Sequence, residues 1–211
     1  AVVLAGFTVA GLVDRAEVEW WIDYFTGRGR KTYERWLERK AEYGWVIEDI
    51  LEEEGLPREF IYMAMIESGL STTARSRAAA VGPWQFVAST ARLRGLMVDS
   101  WVDERRDLEM STVAASRHIK LMYGMFQNWP LALAAYNAGE YRIQRAIGLQ
   151  GDPEYWHLRL PRTLRAACFR KCETSFDWSS TLTASRPRYR PRAWQPRDAS
   201  EPVRPGPFNF H

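Results

Sequence analysis

Phe60-Ile61-Tyr62-Met63-Ala64-Met65-Ile66-Glu67-Ser68-Gly69-Leu70 is an unbroken apolar, aromatic-rich run that ends on a single carboxylate. Pro57 suits the first turn of a helix, and Ser68-Gly69 is a stop signal, so the spacing predicts a buried helix closing at Glu67. A carboxylate with that approach is expected to be partly buried. Desolvation and the negative end of the helix dipole both disfavour its charge and predict a raised pKa. A carboxylic acid that keeps its proton near neutral pH is what protonation of a glycosidic oxygen requires.

Outward from this run the chain reads as helical. Val18, Trp21, Ile22 and Phe25 recur at helix spacing, Thr26-Gly27-Arg28-Gly29-Arg30 breaks the pattern, and Tyr33, Trp36 and Leu37 resume it to about Tyr43. The charged face of this segment is expected to be solvated. A separate helix is predicted from Val46 to Glu54, ended by Gly55. Ser71 to Val81 reads as a loop, and Gly82-Pro83 as the start of a helix that includes Trp84 and Gln85. Trp101 to Met110, with Asp103-Glu104-Arg105-Arg106-Asp107, reads as a solvated loop whose arginines are structural rather than substrate-binding. Ser111-Thr112 offers a cap for a helix to about Phe126. Further helices are expected from Leu131 to Ala138 and from Tyr141 to Ile147. No strand or internal repeat is evident.

Bulk properties bound the function. The 211 residues suffice for one domain with a sizeable core, and the 46% hydrophobic content is ordinary for a globular protein. Ten tryptophans supply packing or, where exposed in a groove, flat faces for sugars. The net charge of +3 conceals an asymmetry, because ten Lys and Arg after Pro161 face only four Asp and Glu. That Arg/Pro-rich tail, residues 162–211, reads as disordered or as a shifted reading frame of a GC-rich gene, and no nucleic-acid-binding module is found in it. Cys168 and Cys172 alone make neither a metal site nor a disulfide framework, and no metal or cofactor is expected. The apolar run Ala1 to Val13 is too short to span a membrane and reads equally as a signal-peptide remnant or a buried segment of the fold.

Four pieces fall in order: Met65-Ile66-Glu67-Ser68-Gly69-Leu70; Ala80-Val81-Gly82-Pro83-Trp84-Gln85-Phe86; Asp103-Glu104-Arg105-Arg106-Asp107 with Ser111-Thr112; and Leu131-Ala132-Leu133-Ala134-Ala135-Tyr136-Asn137-Ala138-Gly139-Glu140. Together, between about Trp20 and Pro161, they resemble the family 1 lytic transglycosylases, with the membrane-bound D type the nearest likeness. The resemblance implies a mainly α, lysozyme-like multi-helix domain with a substrate groove over 56–161, preceded by a helical extension over 14–55. It implies cleavage of the MurNAc-β-1,4-GlcNAc bond of peptidoglycan with formation of a 1,6-anhydroMurNAc end, Glu67 acting as acid and then base. By the same resemblance Ser76 matches a serine near the muramic N-acetyl group. Gln85 and Tyr136 match residues that position the sugar, Asn137 supports them, Ser68 orients Glu67, and Trp84 contributes to packing and to the groove wall. Glycan strands are the implied partner, and a monomer in the periplasm or cell envelope, associated with the outer membrane, is the implied setting. The pattern dissolves after Leu160-Pro161. A hydrolytic enzyme of goose-lysozyme type and a catalytically inactive wall-binding module are the alternatives.

Overall fold

A computed structural model describes residues 20, 23–151 and 155–158. The apolar run 1–13, the tail 162–211 and the Cys168–Cys172 pair lie outside them. Among the described residues the architecture is the mainly α arrangement expected. α1 spans Arg30–Glu53, α2 Ile61–Ser68, α3 Ala88–Leu93, α4 Leu108–Phe126, α5 Trp129–Ala138 and α6 Glu140–Gln150, with short 3-10 turns at Arg58–Phe60, Glu104–Arg106 and Tyr155–His157. Extended pairing in this part of the chain is limited to the isolated bridges Arg75–Val81, Val81–Phe86 and Val98–Asp103.

α2 is apolar on every side and is buried accordingly: Ile61, Tyr62, Met63, Ala64 and Met65 all lie inside. α1 packs on it and on α4, α4 packs on α5 and α5 on α6, and their buried residues share one core with it. Phe60, Ile61, Leu70, Trp84 and Ala134 are fully excluded from solvent. Each large side chain so buried contributes about 1.5–3 kcal/mol of transfer free energy. Trp129 stacks on Tyr123 at 4.1 Å and leans on Phe60 at 5.1 Å, closing the core beneath α5.

Three boundaries differ from the sequence reading, each for a visible reason. The helices expected on either side of Tyr43-Gly44-Trp45 are one continuous α1. Gly44 is not a break but a close approach, since a Cβ there would lie 3.0 Å from Ile61 Cδ1. Gly82-Pro83-Trp84-Gln85 is not helical. It is a tight turn between the bridged Val81 and Phe86, with Gly82 at φ 82° and Gln85 at φ 52°. A side chain at Gly82 would put its Cβ 1.7 Å from the Arg105 carbonyl oxygen, so the turn depends on glycine for space as well as for conformation. Helix α3 begins only at Ala88.

The third difference concerns α4, which starts at Leu108. Its cap is Asp107, whose Oδ1 accepts from the Met110 amide at 2.8 Å. Ser111 and Thr112 are instead buried within the helix. Thr112 Oγ1 donates to the Leu108 carbonyl at 2.6 Å and accepts from Trp84 Nε1 at 2.9 Å. The only hydrogen-bonding atom of the buried indole ring is thereby satisfied.

The charged run before α4 is also less solvated than its composition suggests. Arg105 is buried and forms a forked pair with both Asp103 oxygens, while its Nη1 donates to the carbonyls of Ala79 and Phe86. Its structural assignment holds. The far end of α1 is tied to α4 by Glu54. Burial disfavours its charge, yet contacts from Lys120 at 2.7 Å and Arg117 at 3.0 Å hold its carboxyl below the ordinary value.

The Trp84–Thr112 contact can be checked directly. Thr112→Val keeps the shape of the side chain and removes the acceptor, leaving a buried N–H unpaired. Chemical denaturation is expected to show a loss of about 1–3 kcal/mol.

Candidate functional site

The expected helix end is where the sequence placed it. α2 stops at Ser68, and Gly69 follows in the left-handed conformation at φ 63°, its amide bonded to the Met65 carbonyl at 2.7 Å. Glu67 lies in the last turn of α2 and is half-buried, as its apolar approach predicts. Ser68 faces inward. Its hydroxyl donates to the Pro83 carbonyl at 2.9 Å and meets the Ala64 carbonyl at 3.2 Å, and it accepts from the Ser71 amide at 3.1 Å. These contacts suit a residue that orients Glu67 and leave little of the hydroxyl for a ligand.

The turn that Ser68 grips carries the second motif. Trp84, expected to form part of a groove wall, is fully buried, so its ring offers no stacking face. Its backbone carbonyl is the part that reaches the site, because Tyr136 Oη donates to it at 3.0 Å. Gln85 is half-buried, and its Nε2 donates to the Gly82 carbonyl at 2.8 Å within the same turn. Ser76 sits on the neighbouring bridged segment. It is exposed, and its Oγ accepts from the Ala80 amide at 3.1 Å.

Tyr136 and Asn137 come from the last turn of α5. Asn137 is not a cap: its Nδ2 donates back to the Leu133 carbonyl at 3.0 Å. Burial first, and the Glu67 carboxylate second, raise the Tyr136 phenol well above its ordinary value, so it remains a neutral donor. Glu67, Ser68, the carbonyls of Pro83 and Trp84, and Tyr136 thus form one connected unit drawn from α2, the 82–85 turn and α5. Ser76 and Asn137 flank that unit.

The sequence reading missed the residue behind Tyr136. His118, on α4, is buried, with its ring 5.2 Å from that of Tyr136 and 6.1 Å from that of Phe86. Its Nδ1 has no hydrogen-bond partner. Burial, reinforced by the Arg94 charge and opposed by Glu140, lowers its pKa to about 4. His118 is therefore a neutral wall for the tyrosine. A lone histidine on a helix with small neighbours carries no sequence signal of that role.

Four of the acids that follow Glu67 in the chain are committed elsewhere, and Glu109 and Glu140 are half-buried like Glu67. Asp99 accepts from the amides of Trp101 and Val102, Asp103 holds Arg105, Glu104 accepts from the Met97 amide, and Asp107 caps α4. At the end of α2 this arrangement supplies a half-buried carboxyl, within electrostatic reach of a neutral phenol, on a rigidly tied backbone. It suits proton transfer by a single acid–base group.

The profile of the Transglycosylase SLT domain family matches residues 45–159. Over 138 residues the chain is 34% identical to the membrane-bound lytic murein transglycosylase D of Escherichia coli strain K12, covering 63% of this chain and 30% of that protein. The same figures hold for the protein of that name from E. coli O6:H1. A protein of Alteromonas sp. strain M-1, named for tributyltin chloride resistance, is 34% identical over 115 residues, or 53% of this chain and 56% of that one. The chain therefore spans less than a third of the length of the E. coli relatives.

The folded-state pKa of His118 lies below its ordinary 6.5. In that window the unfolded chain binds the extra proton, so the stabilisation is complete above about pH 6.5 and is lost as pH falls toward about 4. His118→Phe keeps the ring and removes the titration. Its midpoint of thermal unfolding is expected to fall less steeply over that range than that of the wild type.

Proposed function

The chain belongs to the Transglycosylase SLT domain family, and from that premise we propose that it is a peptidoglycan lytic transglycosylase whose acid–base group is Glu67. The observation that supports the residue assignment is a half-buried Glu67 at the end of α2, next to Ser68, which ties to the Pro83–Trp84 turn that also holds Tyr136. The likeness to the E. coli murein transglycosylases D supports the substrate class.

In this reading Glu67 gives its proton to the glycosidic oxygen between MurNAc C1 and GlcNAc O4. The C1–O4 bond breaks, and GlcNAc departs with a free 4-hydroxyl. The neighbouring N-acetyl oxygen stabilises the oxocarbenium-like C1, the task a second carboxylate performs in ordinary glycosidases. The Glu67 carboxylate then takes the proton of the MurNAc 6-hydroxyl, whose oxygen bonds to C1 and closes the 1,6-anhydro ring. Glu67 ends protonated, as it began, and no water is consumed.

Tyr136, whose hydroxyl hydrogen goes to the Trp84 carbonyl, backs this region as a neutral phenol, and Gln85 and Ser76 stand on the segment that faces the sugar in this reading. Ser68 and Asn137 act through the backbone. In this reading the protein works in the periplasm or cell envelope on glycan strands, as a monomer associated with the outer membrane. Among the described residues, no helix is long and apolar enough to cross a membrane.

Digestion of purified sacculi followed by mass spectrometry tests this proposal. The wild type is expected to release muropeptides with anhydro ends, each one water lighter than the reducing form. Glu67→Gln is expected to lower turnover by at least about 100-fold while retaining sacculus binding. Reducing ends alone would assign the hydrolytic reaction of goose-lysozyme type. Binding by the wild type without cleavage would assign a wall-binding module.

A further inference from the structure

We propose that Trp36, Arg39 and Tyr43 of α1 are positioning residues that hold the turn after Glu67 in its catalytic geometry, from a part of the chain upstream of the family match. The inference rests on Glu67 being the acid–base group of the reaction proposed above.

The three residues are spaced three and four apart and form one stripe along α1. Arg39 Nη1 donates to the Gly69 carbonyl at 2.9 Å, and Tyr43 Oη donates to the Leu70 carbonyl at 2.8 Å. Trp36 closes the third side, because a Cβ at Gly69 would lie 2.2 Å from its Nε1. The family match begins at residue 45, so all three precede it.

The turn they hold is strained. Gly69 and Leu70 are both left-handed at φ 63°, and Leu70 is a fully buried, branched residue. A non-glycine residue in that region costs about 1–2 kcal/mol and persists only where its surroundings impose it. The surroundings here are the two side-chain donors, the Leu70 amide bond to Ala64 at 3.4 Å, and the buried Leu70 side chain. The Arg39 cation also lies at the negative end of the α2 dipole, where a positive charge is favoured.

The stripe has a firm base. Gly44, one residue beyond Tyr43, lets α1 close on Ile61 of α2, and Glu54 locks the other end of α1 to Arg117 and Lys120. Glu67 is two residues from the first clamped carbonyl and three from the second. A small displacement of that turn swings the carboxyl relative to Tyr136. Misplacement by about 1 Å can cost about 100-fold in rate. The sequence reading put the charged residues of this helix on a solvated face, and Arg39 departs from that.

Steady-state turnover of soluble glycan by the full chain, with anhydro ends quantified and thermal midpoints measured in parallel, tests the role. Arg39→Ala is expected to lower kcat about tenfold or more, with KM close to the wild-type value. Arg39→Lys recovers part of kcat, because one N–H restores the contact with Gly69. Tyr43→Phe, which removes only the hydroxyl, lowers kcat in the same sense and serves if Arg39→Ala folds poorly. Arg30→Ala, which breaks only an exposed pair with Glu34, leaves kcat unchanged. The proposal is overturned if Arg39→Ala and Tyr43→Phe keep the wild-type kcat. It is also overturned if every loss of kcat follows the folded fraction and Arg39→Lys is as impaired as Arg39→Ala. A wild type that yields no anhydro product sinks the proposed reaction instead, which separates the two failures.

Discussion

Two adjacent backbone carbonyls, those of Pro83 and Trp84, join the pieces of this site. One accepts from Ser68, the residue after Glu67, and the other accepts from Tyr136. A helix end and a helix 52 residues later in sequence from Trp84 are thereby referred to the same rigid turn. The turn is fixed from below in its own right. Arg105, neutralised by Asp103, donates to the carbonyls of Ala79 and Phe86 on either side of it, and its own carbonyl fills the space a side chain at Gly82 would need. The Trp84 ring anchors it to α4 through Thr112. A forked ion pair of this kind, whose arginine also donates to two backbone carbonyls, serves geometry more than net stability.

The division of labour around Glu67 follows from these ties. Apolar burial brings α2 to the middle of the domain, and hydrogen bonds then set the orientation of its end. Polar side chains that look available for ligand in the sequence are mostly spent on the backbone: Ser68 on Pro83, Gln85 on Gly82, Asn137 on Leu133, and Ser76 with Ala80. The Glu67 carboxyl stands within electrostatic reach of the Tyr136 phenol, and the uncharged ring of His118 backs that tyrosine.

Much of the helical layout was legible because its signals are local. The apolar run ending at Ser68-Gly69 announces α2, and the break at Thr26 to Arg30 and the end of α4 near Phe126 fall as the spacing predicts. The errors arise where a residue answers to a distant partner. One helix was expected to end near Tyr43 and another to begin at Val46, yet α1 runs through and its Gly44 makes room for Ile61. Ser111 and Thr112 read as a cap, yet they are buried in α4, and Thr112 serves Trp84 28 residues away. Gly82-Pro83 reads as a helix start, but the positive φ of Gln85 and the bridge from Val81 to Phe86 depend on Arg105 beneath. The site followed the same rule. Glu67 and Tyr136 are candidates that motifs name, whereas the contacts of His118 and Arg39 involve neighbours that the sequence does not display.

The sequence spans of the contacts at the site carry a kinetic meaning. Arg39 reaches Gly69 across 30 residues, Trp84 reaches Thr112 across 28, and Tyr136 reaches Trp84 across 52. Each closes a long loop, whose entropy must be met before the contact stabilises anything. α2 alone, at eight residues, is too short to persist in water. The acid–base geometry therefore belongs to the last, cooperative stage of folding rather than to any early fragment. A chain still emerging from synthesis carries Glu67 without the ties that orient it, so whatever chemistry that carboxyl performs waits until the whole domain has closed.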